Sequence, residues 1–452
     1  MNIDNNKPIC LLSGPFLSRS GYGGWATEIA KSVIKYNKFN VILQPTRWGN
    51  CPSKRFIEDI SDPEERELVN HFLQQPLTKQ PELFIQVTIP EEFQPVGKYN
   101  IGMTAGIEST LCDGSWIEGV NRMNMTIALS NHAKKVFHDT KLIKQHENGQ
   151  KENIEVKTPI EVCNWGANTN IYKKTDEKNI NVEISLDKVV EKSAFLFVGQ
   201  WTHGGLYNDR KDIGNLIKTF CNAFKNSPVN DRPCLIVKTS GANYSMPDRF
   251  DMLKKINTIR TSVGSNSPNV YLLHGELTDI EMNALLNHEK IIAHVSFCHG
   301  EGYGHPMLLS TLSGKPLLAP NWSGHLDFLN PKYANLLPGN LVDVDRKSVN
   351  KYLIKESKWF KVSYSLAEDK LKQVYFARNS NKFKDNAELL RLENSQKFNI
   401  NAMNTRLFEI LDKYVPSFNT TSQILSLPKL KAVGNNTPSQ ETRINLPRLK
   451  MI

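Results

Sequence analysis

The chain has 452 residues, of which 39% are hydrophobic and 23% charged, as in soluble proteins of two or three domains. No apolar run reaches the roughly 18 residues of a membrane-spanning helix, and the N-terminal stretch lacks the pattern of a signal peptide. The seven scattered cysteines predict neither a zinc site nor a disulfide framework, so a cytoplasmic protein is expected. The formal charge of +10 favours anionic partners, although evenly spread lysines also fit a merely basic surface.

The first 172 residues alternate short apolar strands with amphipathic helices. Helices are predicted at 24–36 and 61–75, and strands at 8–13, 40–45, 82–89, 99–104, 125–130 and 160–166. This alternation is typical of a parallel sheet covered by helices on both faces. We therefore predict a first Rossmann-like, doubly wound α/β domain over residues 1–172.

A polar and charged stretch, residues 173–193, is interpreted as a linker, after which the alternation restarts. Strands are predicted at 194–199, 234–239, 269–275, 290–297 and 315–320, with helices at 214–226, 246–259 and 278–289. A second doubly wound domain is therefore predicted over residues 194–346. Two such domains in tandem form a cleft at the carboxyl ends of their strands, where ligands bind.

The C-terminal part of the chain differs in composition. Residues 347–414 are predicted to be a helical segment, and residues 415–452 a flexible, low-complexity tail. The tail repeats a short pattern, Leu-Pro-Lys-Leu-Lys at 427–431 and Leu-Pro-Arg-Leu-Lys at 446–450. We expect it to dock on its own domain, a second copy or another protein; the alternative is a solvated basic tail with a chance repeat.

A glycine-rich stretch follows the first predicted strand and precedes a helix. Gly21, Gly23 and Gly24 would let the backbone approach a ligand closely, and the helix N-terminus would favour a phosphate or sugar oxygen. The spacing is not that of the dinucleotide-binding fingerprint. The alternative is a connection with tight turns.

Two cations lie at the predicted start of another helix, near Asp212. Arg210 and Lys211 there oppose the helix dipole, and an anionic ligand such as a diphosphate would compensate. The alternative is two solvated basic side chains.

The stretch HGEGYGHPMLLSTLSGKP, residues 299–316, places Glu301 on a glycine-rich turn between a strand and a helix that starts near His305 and Pro306. The backbone amides of 303–306 would point into the cleft, and Glu301 could accept hydrogen bonds from sugar hydroxyls. The alternative is a helix-capping acid.

At these residues the chain resembles glycosyltransferase family 4, whose fold is the two-domain GT-B fold. The resemblance spans roughly residues 8 to 340, and its most specific part is the Glu-Gly-Phe-Gly-x-Pro motif of the family. That motif is matched at Glu301, Gly302, Tyr303, Gly304 and Pro306, followed by Gly314 and Pro316. The resemblance further implies that Lys211 binds phosphate and that the cleft binds a nucleotide-sugar.

The resemblance also implies a set of donor-binding residues: Gly23, Gly24, Arg210, Lys211, Gly302, Tyr303, Gly304, His305 and Leu309. Three positions depart from the family pattern. Leu309 replaces the acid that contacts the ribose, Gln200 replaces a basic residue, and Asp327 stands where glutamate is common. The ribose contact, and with it the nucleotide preference, is therefore open.

We expect a retaining glycosyltransferase that uses a UDP- or GDP-sugar and an unknown glycan or glycoconjugate acceptor. Retention is implied by the resemblance. Glu301, Lys211 and Glu108 are the candidate catalytic residues, with Glu108 on the acceptor side or alternatively a buried structural acid. No Asp-x-Asp pair stands at a strand end in the cleft, so no metal and no cofactor is expected.

Two other functions remain open at this stage. One is a non-catalytic protein that binds a nucleotide-sugar or glycan on the same fold, favoured by Leu309 and Gln200. The other is a DNA-base glycosyltransferase, favoured by the charge, although no stripe of cations with interleaved aromatics indicates a nucleic-acid partner.

Overall fold

The computed structural model describes residues 4, 6–49, 51, 63–145, 147–201, 206–241 and 243–418. The predicted tail repeat and the first two residues of the helix predicted at 61–75 lie outside these ranges. The described chain forms two six-stranded sheets, each entirely parallel, and two small antiparallel hairpins. The predicted pair of doubly wound domains is therefore confirmed.

The first sheet has the order β2-β1-β3-β4-β5-β8, and β6 and β7 form a separate hairpin. Its strands are β1 (Ile9–Gly14), β2 (Asn40–Pro45), β3 (Leu83–Val87), β4 (Tyr99–Thr104), β5 (Met125–Ala128), β6 (Leu142–Gln145), β7 (Lys151–Ile154) and β8 (Ile160–Val162). The helices of this domain are α1 (Gly21–Tyr36), α2 (Pro63–Val69), α3 (Gly114–Arg122) and α4 (Asn131–Asp139). All six residues of β1 are buried, which explains why it reads as a continuous apolar run.

A short helix, α5 (Ile180–Ser185), lies within the stretch interpreted as a linker. The second sheet has the order β11-β10-β9-β12-β13-β14. Its strands are β9 (Ala194–Val198), β10 (Cys234–Lys238), β11 (Val270–Leu273), β12 (Ile291–Val295), β13 (Leu317–Pro320) and β14 (Asn335–Leu337). The helices α6 (Ile213–Phe224), α7 (Met246–Val263), α8 (Asp279–Asn287) and α9 (His305–Thr311) cover it.

The strand order reverses direction once in each sheet, between β1 and β3 in the first and between β9 and β12 in the second. In open parallel sheets, ligands bind outside the carboxyl ends of the strands at such a switch point. Loops that follow β9 and β12 carry Arg210, Lys211 and Glu301. The topology therefore brings the cations and the acid of the sequence analysis to one edge of one sheet.

The segment after the second sheet is not purely helical. It begins with the antiparallel hairpin of β15 (Gly339–Asp343) and β16 (Lys358–Val362), followed by α10 (Tyr364–Phe376), α11 (Lys384–Lys397) and α12 (Ile400–Tyr414). The strand β16 was not anticipated by the prediction of a helical 347–414 segment. Three side chains of β16 are buried in the core, those of Trp359, Phe360 and Val362.

The chain passes from one domain to the other twice, first after Ala167 and again at residues 398–400. These two crossings are in contact. Helix α12 returns to the first domain, where Ala167 N–H donates to the Phe398 carbonyl at 2.7 Å and Ile400 N–H donates to the Ala167 carbonyl at 3.1 Å. The largest cluster of buried apolar side chains runs through both domains, from Leu12 on β1 to Leu196 on β9. The two domains therefore pack against each other through a shared core. None of the described helices is both long and apolar enough to cross a membrane.

Candidate active site

The loop after β12 lies directly against the loop after β4 of the first domain. A methyl group on Gly300 would come within 2.4 Å of the Glu108 carbonyl oxygen, and one on Gly302 within 2.5 Å of the Ala105 carbonyl oxygen. Ser130 Oγ donates to the Gly302 carbonyl at 2.5 Å. These glycines are therefore required for the close approach of the two domains beside Glu301.

Glu301 is buried between two cations of the second domain. Its Oε1 pairs with Lys211 Nζ, and its Oε2 lies 3.2 Å from Arg210 Nη1. Burial raises the pKa of Glu301, but the charges of Lys211 and Arg210 outweigh it, and the pKa falls to about 2. The carboxyl group is therefore ionised at all physiological pH values and is not a proton donor in this arrangement.

Arg210 joins the two domains. Its Nη1 lies 3.1 Å from Glu108 Oε1 of the first domain and also donates to the Gly300 carbonyl at 3.1 Å. Burial lowers the pKa of this guanidinium, but Glu108 and Glu301 raise it by more, so the group stays charged. One guanidinium thus connects the candidate acceptor-side acid with the candidate donor-side acid.

The turn that presents the two cations is held by buried carboxyl groups. Asp212 adopts a left-handed backbone conformation, with φ of 52°, immediately before α6. Its carboxyl oxygens accept hydrogen bonds from Tyr364 Oη and Asn215 Nδ2, both at 2.7 Å. Burial raises the pKa of Asp212 to about 8 and that of Asp209 to about 6. Asp212 is therefore largely protonated at neutral pH, where it contributes hydrogen bonds and little charge.

The strand β16 holds the loop of Glu301 from the other side. The ring of His299 stacks on Trp359 with centroids 4.1 Å apart. The Phe360 carbonyl oxygen accepts a hydrogen bond from its Nδ1–H at 2.7 Å. The backbone N–H of His299 also donates to the Arg210 carbonyl at 2.8 Å. Burial lowers the pKa of His299 to about 4, so the imidazole is neutral and serves to position the loop.

The residues that follow Glu301 are largely buried. Gly304 takes a positive φ of 86° and precedes α9, while Tyr303 is only 2% exposed and its hydroxyl has no hydrogen-bond partner among the described residues. His305 stacks on Trp165 of the first domain with centroids 3.6 Å apart. The expectation of four amides at 303–306 needs correction, because Pro306 carries no N–H.

Leu309 is partly buried and packs against the shared core. It brings no polar group to the place where the family resemblance implies a ribose contact. Gln200 donates from Nε2 to the Gly241 carbonyl at 2.9 Å, within the second domain. The carboxylate of Asp327 accepts from the Asn131 N–H and from Asn164 Nδ2, each at 2.9 Å, so this departure forms another contact between the domains.

The glycine-rich stretch of the first domain differs from its prediction. Helix α1 begins at Gly21 and not at residue 24, because Ser20 caps it. The Gly23 N–H donates to Ser20 Oγ at 3.0 Å and the Gly24 N–H to the Ser20 carbonyl at 2.9 Å. A methyl group on Gly23 would lie 2.1 Å from the Ser18 carbonyl oxygen, so this glycine allows the loop to fold on itself. The amides of Gly23 and Gly24 are thus already used inside the protein.

Sequence reasoning missed several side chains that shape the site. Ser323 Oγ accepts the N–H of Glu301 at 3.0 Å, and Trp165, Trp359 and Ser130 form the contacts described above. Ser323 and Trp165 could have been found as residues just beyond the carboxyl ends of β13 and β8. Among the described residues, no group of three or more His, Cys, Asp or Glu side chains is placed to hold a metal ion.

Neither a protein-family model nor a curated protein sequence matches the chain. Solved structures do match. Anabaena Alr3699/HepE in complex with UDP-glucose has a TM-score of 0.56 at 13% identity, covering 90% of this chain and 100% of the other. A glycosyltransferase from Rickettsia africae has a TM-score of 0.59 at 11% identity, covering 91% and 100%.

Sucrose-phosphate synthase from Thermosynechococcus elongatus has a TM-score of 0.57 at 10% identity, covering 90% of this chain and 98% of its own. The chain shares the two-domain GT-B fold with these structures. The closer resemblance to family 4 stays a prediction.

Proposed function

We propose that the protein is a glycosyltransferase that moves a sugar from a UDP- or GDP-sugar to an acceptor hydroxyl, with retention of configuration and without a metal ion. The observation that carries this proposal is the cluster of Arg210, Lys211 and Glu301 at the switch point of the second sheet, facing Glu108 of the first. The fold shared with a protein solved in complex with UDP-glucose supports a uridine nucleotide as the first donor to test.

The chemistry follows from charge that develops on the leaving group. When the bond between the anomeric carbon and the diphosphate breaks, negative charge grows on the diphosphate, and preorganised cations stabilise it. Lys211 and Arg210 supply that charge once the diphosphate replaces Glu301 and Glu108 as their partner. The proton of the acceptor hydroxyl leaves with the diphosphate as the new bond to the anomeric carbon forms.

The released carboxylates have separate roles in this proposal. Glu301, on the donor side, accepts hydrogen bonds from hydroxyls of the donor sugar and so orients its anomeric carbon. Glu108, on the first domain, faces the acceptor.

The proposal is tested with a panel of UDP- and GDP-sugars. A donor that binds the folded state raises the melting temperature, and slow hydrolysis without acceptor reports catalysis. Hydrolysis should persist in EDTA, and NMR of the first-formed product should show the anomeric configuration of the donor. Activity that requires added manganese, or an inverted product, would contradict the corresponding part of the proposal.

A non-catalytic sugar-nucleotide-binding protein is the second candidate. Leu309 favours it, because this partly buried apolar side chain replaces the expected ribose contact. Donor binding with neither hydrolysis nor transfer, for all donors that bind, would select this function.

For the C-terminal tail we propose a docking role outside the cleft. Deletion of residues 416–452 should leave donor binding unchanged and weaken self-association or binding to a partner, measured by light scattering and pull-down. Loss of donor binding on truncation would place the tail in the cleft instead.

A further inference from the structure

A cavity with a mixed polar and apolar lining lies between the first domain and the returning helix α12. Its volume is about 470 Å³, within the range of roughly 300–1,000 Å³ that is typical of small-molecule sites. The Glu28–Lys35 part of α1, the segment 167–170 and the first turn of α12 form its walls. None of Glu108, Arg210, Lys211 and Glu301 is among its lining residues, so the cavity is separate from the candidate active site.

One largely buried side chain in this cavity has a hydrogen-bonding group that the described residues leave unused. Asn404 is only 6% exposed, and its Oδ1 accepts a hydrogen bond from Ser32 Oγ. Its amide nitrogen donates to none of the described residues, although the residue lines the cavity. This nitrogen is not among the fully buried polar atoms that lack a partner, so it is open to the cavity, where an acceptor atom of a ligand can bind it.

The other polar groups of the lining indicate the chemistry of such a ligand. Asn168, Asn170 and Asn401 lie around the same cavity. A side-chain amide both donates and accepts, as does each hydroxyl of a sugar, so amides suit neighbouring hydroxyl groups.

The charge of the lining is balanced. It contains two lysines and two glutamates, of which Glu28 and Lys31 form an ion pair of 3.4 Å. Ile34, Leu68 and Ile400 add apolar surface, which suits the C–H face of a sugar ring. Because neither sign of charge dominates, the lining does not call for an ionic ligand.

We propose that this cavity binds a neutral saccharide unit, as a site distinct from the transfer cleft. The saccharide is either a free sugar or a distal unit of a longer glycan. Ala167, in the cavity wall, pairs with the second crossing at residues 398–400. A bound saccharide therefore contacts both crossings and favours the domain arrangement in which they touch. The proposal does not depend on the transferase activity.

The test is saturation-transfer NMR on the full chain, with glucose, mannose, galactose, N-acetylglucosamine and a maltose series, each in the presence of saturating UDP. At least one neutral saccharide should bind. The double variant Asn170→Ala and Asn401→Ala should weaken binding about fivefold or more, since two hydrogen bonds are lost. The matched control is Asn257→Ala, an exposed asparagine on α7, which should bind as the unaltered protein does.

Affinity that rises with chain length in the maltose series identifies a glycan as the source, and equal affinities identify a free sugar. No binding by any neutral saccharide would overturn the proposal. Binding that is equal in the double variant and the control would also overturn it, because the saccharide would then lie elsewhere, whatever the outcome of the donor assays.

Discussion

Replacing Lys211 tests whether the buried cluster is the diphosphate site. In Lys211→Ala the nucleotide loses one charge-assisted hydrogen bond, which contributes about 1.5–3 kcal/mol. At 1.4 kcal/mol for each factor of ten, UDP should bind roughly ten- to a hundredfold more weakly. Lys211→Met removes the same charge and keeps the buried aliphatic stem, so it should show the same loss with better packing.

The fold should survive this substitution. Breaking a buried ion pair costs about 3–5 kcal/mol when it leaves an unpaired charge. Glu301 keeps Arg210 as a partner, with Oε2 and Nη1 3.2 Å apart. We therefore expect a destabilisation of about 1.5–3 kcal/mol, the range for one lost hydrogen bond to a charged group.

Isothermal titration with UDP measures the effect, and unfolding in urea measures the stability. Lys218→Ala is the matched control, because Lys218 is an exposed lysine on α6, the helix that follows Lys211 in the chain. A folded Lys211→Met variant that binds UDP within about twofold of the unaltered protein would refute the assignment, since about 0.4 kcal/mol is too little for a phosphate contact.

Three further predictions follow from single positions. Leu309→Glu should tighten UDP binding measured by calorimetry, because it supplies a carboxylate where the family resemblance implies a ribose contact; an unfolded variant would show that Leu309 is needed for packing. Gly300→Ala should lower the free energy of unfolding by about 1–3 kcal/mol, since its Cβ would lie 2.4 Å from the Glu108 carbonyl oxygen. The control Gly21→Ala should not lower it, because its Cβ would meet nothing within 4 Å. Equal urea midpoints for the two variants would contradict this prediction. Burial raises the pKa of Asp212 from 3.8 to about 8, so the folded state keeps a proton that the unfolded state releases, and stability falls as pH rises through this range. Asp212→Asn should flatten that fall in urea titrations at several pH values, and parallel profiles would count against it.

The architecture could be predicted because buried parallel strands leave a strong local signal. The strand predicted at 99–104 coincides with β4, and the one at 40–45 coincides with β2. The start of α1 was missed by three residues, since glycines have weak helix propensity and the cap at Ser20 was overlooked. The strand β16 was missed because its partner β15 and the loop of His299, which give it a place, are distant in sequence.

The candidate site was predictable only in part, because it too depends on contacts between residues that are distant in sequence. Arg210 and Lys211 could be picked out at the start of a helix and Glu301 on a glycine-rich turn after a strand, but the sequence carries no sign that they form one network with Glu108. Such a network depends on how the domains face each other. The expectation that the N-terminus of α1 binds a ligand through free amides did not account for a local contact. Ser20 accepts the hydrogen bonds of the Gly23 and Gly24 N–H groups.

The two touching crossings have a mechanical consequence. A single connection would allow one domain to swivel in any direction relative to the other. Here two connections lie side by side, because Ala167 is hydrogen-bonded to residues 398 and 400. Together they define a single hinge line between the domains. We therefore expect any relative motion of the two domains to be a rotation about that line, one that would bring Glu108 to the same position beside Arg210 each time the domains close.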